Sequence, residues 1–183
     1  DNSIYSIYKD HEGGIWIGTM FGGVNYLPNR ILTFDKYVPG SDSHSLNTKR
    51  IRGLAEDNNG CIWIGTEDNG VNVLDPRTGK VHQIHDNVPG RLITLSVKHY
   101  ENHIYVGLFK QGINDISIPG EHLKYISDKE LNIEEGSVYS FLKDSKGRTW
   151  IGPGWGLYVS QPKERKFRRV EEVGYNWVFE GLK

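Results

Sequence analysis

The sequence predicts an all-β fold of about four four-stranded antiparallel units, and three observations carry that prediction. A short motif returns along the chain as Gly14-Ile15-Trp16-Ile17-Gly18-Thr19, Cys61-Ile62-Trp63-Ile64-Gly65-Thr66 and Arg148-Thr149-Trp150-Ile151-Gly152-Pro153, with a worn copy at His103-Ile104-Tyr105-Val106-Gly107-Leu108. The anchors Trp16, Trp63, Tyr105 and Trp150 lie 47, 42 and 45 residues apart, the period of a propeller blade. Short alternating apolar runs flank each copy, and Gly, Asp and Asn punctuate them, which is the pattern of strands joined by tight turns. Aromatic residues make up 11% of the 183 residues and 22 are Gly, a mix that suits strands and carries no helix signal. A strand repeat that cannot bury its faces alone implies stacked blades, so the chain reads as a β-propeller fragment cut at both ends.

The units are predicted at approximately 1–46, 47–90, 91–135 and 136–174, with 175–183 opening a fifth. In the first, Ile4-Tyr5-Ser6-Ile7-Tyr8 alternates, placing Ile4, Ser6 and Tyr8 on one face. Asp10 to Gly14 turns the chain into Ile15-Trp16-Ile17, Val24 to Leu27 forms a third strand stopped by Pro28, and Ile31 to Tyr37 forms a fourth. A polar loop from Pro39 to Ser45 leads onward. The second unit repeats that order with strands at Ile51–Ala55, Ile62–Ile64, Val71–Leu74 and Val81–Ile84. The third is degenerate, with strands at Ile93–Val97, around Tyr105, at Gly112–Ile116 and at Leu123–Ile126. The fourth runs through Val138–Leu142, Trp150–Ile151, Leu157–Val159 and Lys166–Val170. Phe179-Glu180-Gly181-Leu182 matches Ile51-Arg52-Gly53-Leu54 and begins the next copy. The Asp before each first turn (Asp10, Asp57, Asp144) is suited to cap it, and His99 falls at that place in the third unit. The glycine after each anchor (Gly18, Gly65, Gly107, Gly152) marks a close backbone approach or a bulge.

Charge and composition exclude several function classes. With 22 Lys+Arg against 23 Asp+Glu the formal net charge is −1, giving no electrostatic basis for direct nucleic-acid contact. No apolar run is long enough to be a membrane segment. The single cysteine, Cys61, allows no internal disulfide and sits in a repeat strand, as a structural thiol would. Among the histidines, His82 with His85 and His99 with His103 are paired too loosely for a metal, with no carboxylate or thiolate at ligand spacing. No metal and no cofactor is expected. Sialidase propellers carry a Ser-x-Asp-x-Gly-x-Thr-Trp box, but Lys143 and Ser145 stand at its Ser and Asp places before Trp150. No acid–base pair of carboxylates is concentrated anywhere, so no catalytic residue is assigned.

The motif Asp-x-x-(x)-Gly-x-(Ile/Thr)-Trp-Ile-Gly-Thr followed by Gly-(Val/Leu)-Asn-x-Leu-x-Pro resembles the regulator-propeller repeat of hybrid two-component sensor ectodomains. Asp57, Gly60, Trp63, Ile64, Gly65, Thr66 and Gly70 match it most cleanly, while Tyr105, Leu108 and Pro153 depart from it. The resemblance implies a piece of a periplasmic sensor, the ectodomain of an inner-membrane protein that responds to oligosaccharides and controls polysaccharide-utilisation genes. It implies a parent with further blades, a β-sandwich, a membrane helix and a histidine kinase outside this segment. This segment would then not be an enzyme, and ligand binding would bias a homodimeric ectodomain. Two other readings stay open, a propeller lyase or glycoside-processing enzyme and a protein-binding scaffold.

Ligand candidates lie in the loops from second to third strands, which share one face of a propeller with the loops from fourth to first strands. They are Phe21, then Glu67, Asp68 and Asn69, then Phe109, Lys110 and Gln111, then Trp155. These residues differ from unit to unit while the strands repeat. Aromatic faces with a polar surround suit a sugar ring, which has apolar C–H faces and a hydroxyl rim. The same rings would equally serve packing between neighbouring loops.

Overall fold

The computed structural model describes residues 3–29, 35–84 and 93–173. The chain divides into two compact units, Asp1–Lys36 and Tyr37–Lys183.

The first unit holds one antiparallel meander of β1 (Ile4–Lys9), β2 (Ile15–Thr19) and β3 (Val24–Leu27). Its expected fourth strand lies mostly outside the described residues. Asp10 caps the β1–β2 turn: one carboxylate oxygen accepts the backbone N–H groups of Glu12 and Gly14, and the other accepts Trp16 Nε1–H at 2.9 Å. Trp16 also lies against Tyr26, ring centroids 4.4 Å apart. The expected alternation of Ile4, Ser6 and Tyr8 is interrupted, because Ile4 opposes Thr19 while Ser6 opposes Gly18. A bulge at Tyr5 takes up the extra residue.

The second unit holds three four-stranded meanders. They are β4 (Ile51–Glu56), β5 (Ile62–Thr66), β6 (Val71–Asp75), β7 (Lys80–Ile84); β8 (Thr94–Tyr100), β9 (His103–Leu108), β10 (Ile113–Ser117), β11 (His122–Ile126); and β12 (Ser140–Lys143), β13 (Thr149–Gly152), β14 (Tyr158–Ser160), β15 (Arg168–Arg169). Their leading strands are neighbours, β4 beside β8 and β8 beside β12, as the inner strands of successive blades should be. The fold class is therefore the one expected, all-β and a propeller fragment. Two seams hold the sheets together. Trp63, at 1% exposure, packs with Val97, Ile104, Val106 and Ile116 between the second and third sheets. Between the third and fourth sheets, Ile113, Leu131, Val138, Phe141 and Ile151 form the core, with Tyr100 and Tyr105 beside them. The turn caps recur: Asp57 accepts Trp63 Nε1–H and Asp144 accepts Trp150 Nε1–H, each at 2.9 Å. Each carboxylate thus joins a turn to an anchor indole six residues on, which is why the Asp–Trp spacing is fixed. Cys61 lies in this framework, and burial pushes its thiol up, leaving it a poor nucleophile.

The third sheet corrects two expectations. His99 is not the counterpart of the capping Asp. Ala55 opposes Trp63 and Lys98 opposes Tyr105, so Tyr100 stands where Asp57 does, and His99 is a strand residue. The β8–β9 turn is one residue shorter than its counterparts, with Glu101 in the left-handed region at φ 58°. Tyr100 leaves its own turn and donates its hydroxyl to the Phe141 carbonyl at 3.2 Å. The chain also contains a helix where none was expected, α1 (Asp128–Leu131) in the connection from the third sheet to the fourth. Ser127 and Glu130 form a reciprocal capping box and Asn132 ends the turn at φ 61°, both of which are local sequence signals. Leu131, 2% exposed, plugs the seam below.

Gly107 is the clearest close approach. A Cβ there would meet the Val138 carbonyl oxygen and Ser96 Oγ, and Ser96 Oγ already donates to that carbonyl at 2.9 Å.

Candidate functional site

Three of the four leading strands, β1, β4 and β8, start with the same irregularity. In β4 the register slips between Ile51 and Gly53, and in β8 between Thr94 and Ser96. Arg52 and Leu95 are therefore the bulged residues, at the place Tyr5 takes in the first unit. Tyr139 N–H donates to the Gly152 carbonyl, and Ser140 opposes that same glycine, so Tyr139 holds the equivalent position in the fourth repeat. A bulge re-aims its side chain and ends regular pairing. Arg52 at its bulge and Tyr139 just before β12 thus lie at the strand ends where the loops from second to third strands emerge.

The loops are pinned to these ends by a repeated bond. Glu67 N–H donates to the Arg50 carbonyl and Phe109 N–H to the Ile93 carbonyl, both at 2.9 Å. Pro153 has no N–H and cannot make it. Arg52 meets Glu67 at 3.3 Å, both partly exposed. Burial pushes the Tyr139 hydroxyl up, the Glu135 carboxylate adds to that and the Arg52 guanidinium opposes it. The Glu135 and Arg52 charges therefore both reach the Tyr139 hydroxyl.

The adjoining loops form one bundle. Lys110 N–H donates to Ser137 Oγ at 3.1 Å, Ser137 Oγ faces Glu135 Oε1 at 3.4 Å, and Gly112 N–H donates to the Gly136 carbonyl at 2.7 Å. A side chain at Gly154 would collide with the Glu135 carboxylate. Lys110 is held at φ 56°, a conformation costly for a residue with a Cβ, and its ammonium stands 5.2 Å from the Phe109 ring centroid. Gln111 Oε1 and Glu135 Oε2 are buried without a hydrogen-bond partner among the described residues. Such acceptors call for a donor from water or ligand. Trp155 projects from the neighbouring turn at 47% exposure.

Of the residues expected from sequence, Phe109, Lys110 and Gln111 lie in this bundle, and Glu67 joins it to Arg52. Asp68 is partly buried on the same loop as Glu67. Asn69 braces loops: its carbonyl accepts from Asn47 Nδ2 at 2.8 Å and Gln83 Nε2 at 3.0 Å, and its amide donates to the Asn47 carbonyl. Phe21 belongs to the first unit, where it is 83% exposed. Sequence reading missed Arg52, Glu135 and Tyr139. Their signal was present for two of the three, since Tyr5, Arg52, Leu95 and Tyr139 differ at one repeat position between residues that match. Among the described residues no group of three His, Cys, Asp or Glu side chains is placed to hold a metal ion.

The family model of the two component regulator propeller matches residues 1–21 and 45–68, the two segments that carry the capped Asp–Trp turn in its most regular form. In these two segments the chain is similar to the two component regulator propeller. The extracellular domain of the candidate hybrid two component system BT3049 from B. thetaiotaomicron is 25% identical, with a TM-score of 0.59 over 93% of this chain. The extracellular domain of the candidate one component system BT4673 from the same organism is 20% identical over 97% of this chain, TM-score 0.60, a likeness of fold. The chain spans 23% of the length of each of these two domains. The computationally designed Ika4 protein shares the fold at 17% identity and a TM-score of 0.57, over 79% of this chain and 88% of its own. No curated protein sequence matches.

Proposed function

We propose that this chain is a ligand-recognition segment of a two-component sensor ectodomain, outside the inner membrane in the periplasm, and that its loop face binds an oligosaccharide. One observation carries the reading: the residues that vary between regulator-propeller repeats converge at the strand ends, while the residues that repeat are consumed in turns and seams. Arg52, Glu67, Lys110, Gln111, Glu135 and Tyr139 supply charged and hydrogen-bonding groups there. Phe109 and Trp155 supply rings on which a pyranose can stack. The likeness to an ectodomain at 25% identity supports the sensor role. Two carboxylates of this face, Glu67 and Glu135, are each tied to a neighbour, Arg52 and Ser137, which fits recognition better than acid–base chemistry. In the parent, ligand binding would bias the arrangement of a homodimeric ectodomain, with the remaining blades as further partners, and so regulate a histidine kinase and polysaccharide-utilisation genes.

The test is calorimetric titration of the complete ectodomain against a panel of oligosaccharides, repeated with Trp155→Ala and Arg52→Ala. The reading expects one glycan class to bind and each variant to weaken it about tenfold, the loss of one stacking or charge-assisted contact. Unchanged affinity in both variants places the ligand elsewhere, and turnover of the glycan replaces sensing with catalysis.

A further inference from the structure

The third repeat departs from the others at one spot, and the departure has a spatial consequence. In the second sheet Trp63 is flanked across the strands by Ala55 and Val73, and in the fourth Trp150 is flanked by Leu142 and Val159. In the third, Tyr105 is flanked by Lys98 and Asp115. Directly opposed residues share a face of a sheet, so the drift replaces an indole between apolar neighbours with a smaller phenol between charged ones. The bond from anchor to turn carboxylate goes with it, because Tyr100 occupies the Asp place. What remains is a cavity of about 270 Å³ between the third and fourth sheets. It opens beside Gly147 and the segment from Gln161 to Phe167, the strand ends opposite the loop face, so it is separate from the site above.

The chemistry of the cavity is divided. Tyr105 and Phe141 present rings with centroids 6.1 Å apart. Asp115 is held by His103 Nδ1 at 2.7 Å, and the His103 ring stacks on Tyr105 at 5.9 Å. Thr149 and Gln161 add neutral polar groups to the lining. Positive charge gathers at the mouth: Lys143, which pairs with Glu101, and Lys163 and Arg165 from the β14–β15 connection. Of the carboxylates there, Asp115 faces His103, and Glu164 reaches Arg168 at 3.7 Å. Lys163 is fixed in the left-handed region at φ 69°, which sets where its stem leaves the backbone. Size narrows the occupant. A cavity of ~150 Å³ takes benzene, so by proportion this one holds roughly eleven non-hydrogen atoms, a hexopyranose ring with its hydroxyls, and leaves an acidic substituent at the mouth.

We infer that this cavity binds a hexuronate unit, its ring against Tyr105 and Phe141, its hydroxyls on Asp115 and Gln161, and its carboxylate at Lys163 and Arg165. A neutral sugar forgoes the charge at the mouth, and an aryl carboxylate brings no hydroxyl to add to the His103 contact of Asp115.

The test is calorimetric titration of the protein with sodium glucuronate, glucose and sodium benzoate, with circular dichroism confirming that each variant is folded. Glucuronate should bind at least tenfold tighter than either comparison compound, and more weakly as salt rises. Arg165→Ala and Lys163→Ala, at exposed positions, should each weaken glucuronate about tenfold and leave the fold intact. Tyr105→Trp, which restores the anchor of the other repeats, should abolish binding by filling the space. Arg52→Ala on the loop face should leave it unchanged, which separates failure of this site from failure of the oligosaccharide reading. Equal affinity for glucuronate and glucose, tighter binding of benzoate, insensitivity to both mouth variants, or no binding of glucuronate overturns the inference.

Discussion

The anchor indole occurs in three settings, so one substitution measures what the repeat is worth in each. Trp63→Phe removes the donor that reaches Asp57 Oδ2 at 2.9 Å, in a place where Trp63 is 1% and Asp57 7% exposed. A hydrogen bond to a charged acceptor that is left unsatisfied costs ~2 kcal/mol. The ring left behind is smaller by roughly 40 Å³, and at ~24 cal/mol per Å³ of residual cavity this adds about 1 kcal/mol. The expected total is about 3 kcal/mol. Trp16→Phe removes the same bond to Asp10, but Trp16 is 42% exposed, so water replaces the donor and no cavity forms. Its cost should stay within about 1 kcal/mol. Urea unfolding with hydrogen exchange resolved to individual strands reads both, β4 to β7 for the first variant and β1 to β3 for the second. With an m-value of ~2 kcal/mol/M, the Trp63→Phe midpoint falls by about 1.5 M. Equal losses at the two sites would falsify the claim that burial, rather than the Asp–Trp bond itself, sets the value of the motif.

Three further outcomes are expected. The Asp144 carboxyl is held far below its ordinary value of 3.8, first by the Trp150 indole N–H and then by Arg148. A carboxylate depressed on folding contributes stability that is present above 3.8 and lost as pH falls toward its folded value. Acidification should therefore strip protection from β12 to β15 in the wild type, and Asp144→Asn should flatten that dependence in a hydrogen-exchange pH series. Gly107→Ala should cost ~1–3 kcal/mol, because its Cβ meets the Val138 carbonyl and Ser96 Oγ; a thermal midpoint equal to wild type contradicts the close approach. Ser127→Ala removes the capping-box hydroxyl of α1 and should cost ~1 kcal/mol, with faster exchange confined to the turn around Leu131.

The fold was legible because its determinants are local and repeated. Asp57, Gly60, Trp63 and Gly65 each answer a nearby demand, a turn cap, a left-handed residue, a seam filler and a close contact, and a periodic copy of each makes the pattern visible in one sequence. The misreadings share a cause. Counting six residues back from Tyr105 finds His99, but the β8–β9 turn is one residue short and pairing puts Tyr100 there instead. Alternation across Ile4, Ser6 and Tyr8 assumed regular pairing, and a bulge at Tyr5 breaks it. Register is a property of two strands together, so a single strand's pattern cannot give it. The loop residues were legible as variable positions. Glu135 was not, because its importance comes from Gly154, which approaches it from a distant part of the chain, and from Tyr139, which it shares with the distant Arg52.

A repeat protein separates scaffold from recognition in a way its own sequence can report. Where copies agree, a side chain is answering a demand that every blade makes, as the Asp–Trp pair does three times. Where copies disagree while the backbone stays the same, that demand is absent and another can act. The position before the leading-strand residue that pairs with the glycine is such a place: Tyr5, Arg52 and Leu95 share a bulge, Tyr139 stands at the equivalent place, and the four have no common chemistry. Tyr105 is a different case, because there the shared demand persists and is met incompletely, leaving volume and charge inside the seam. Disagreement at a free position decorates a surface, whereas disagreement at a constrained one opens a cavity. The two proposed sites follow from those two kinds of divergence, so a variant that restores the repeat, Tyr105→Trp, bears on the second site and leaves the first untouched.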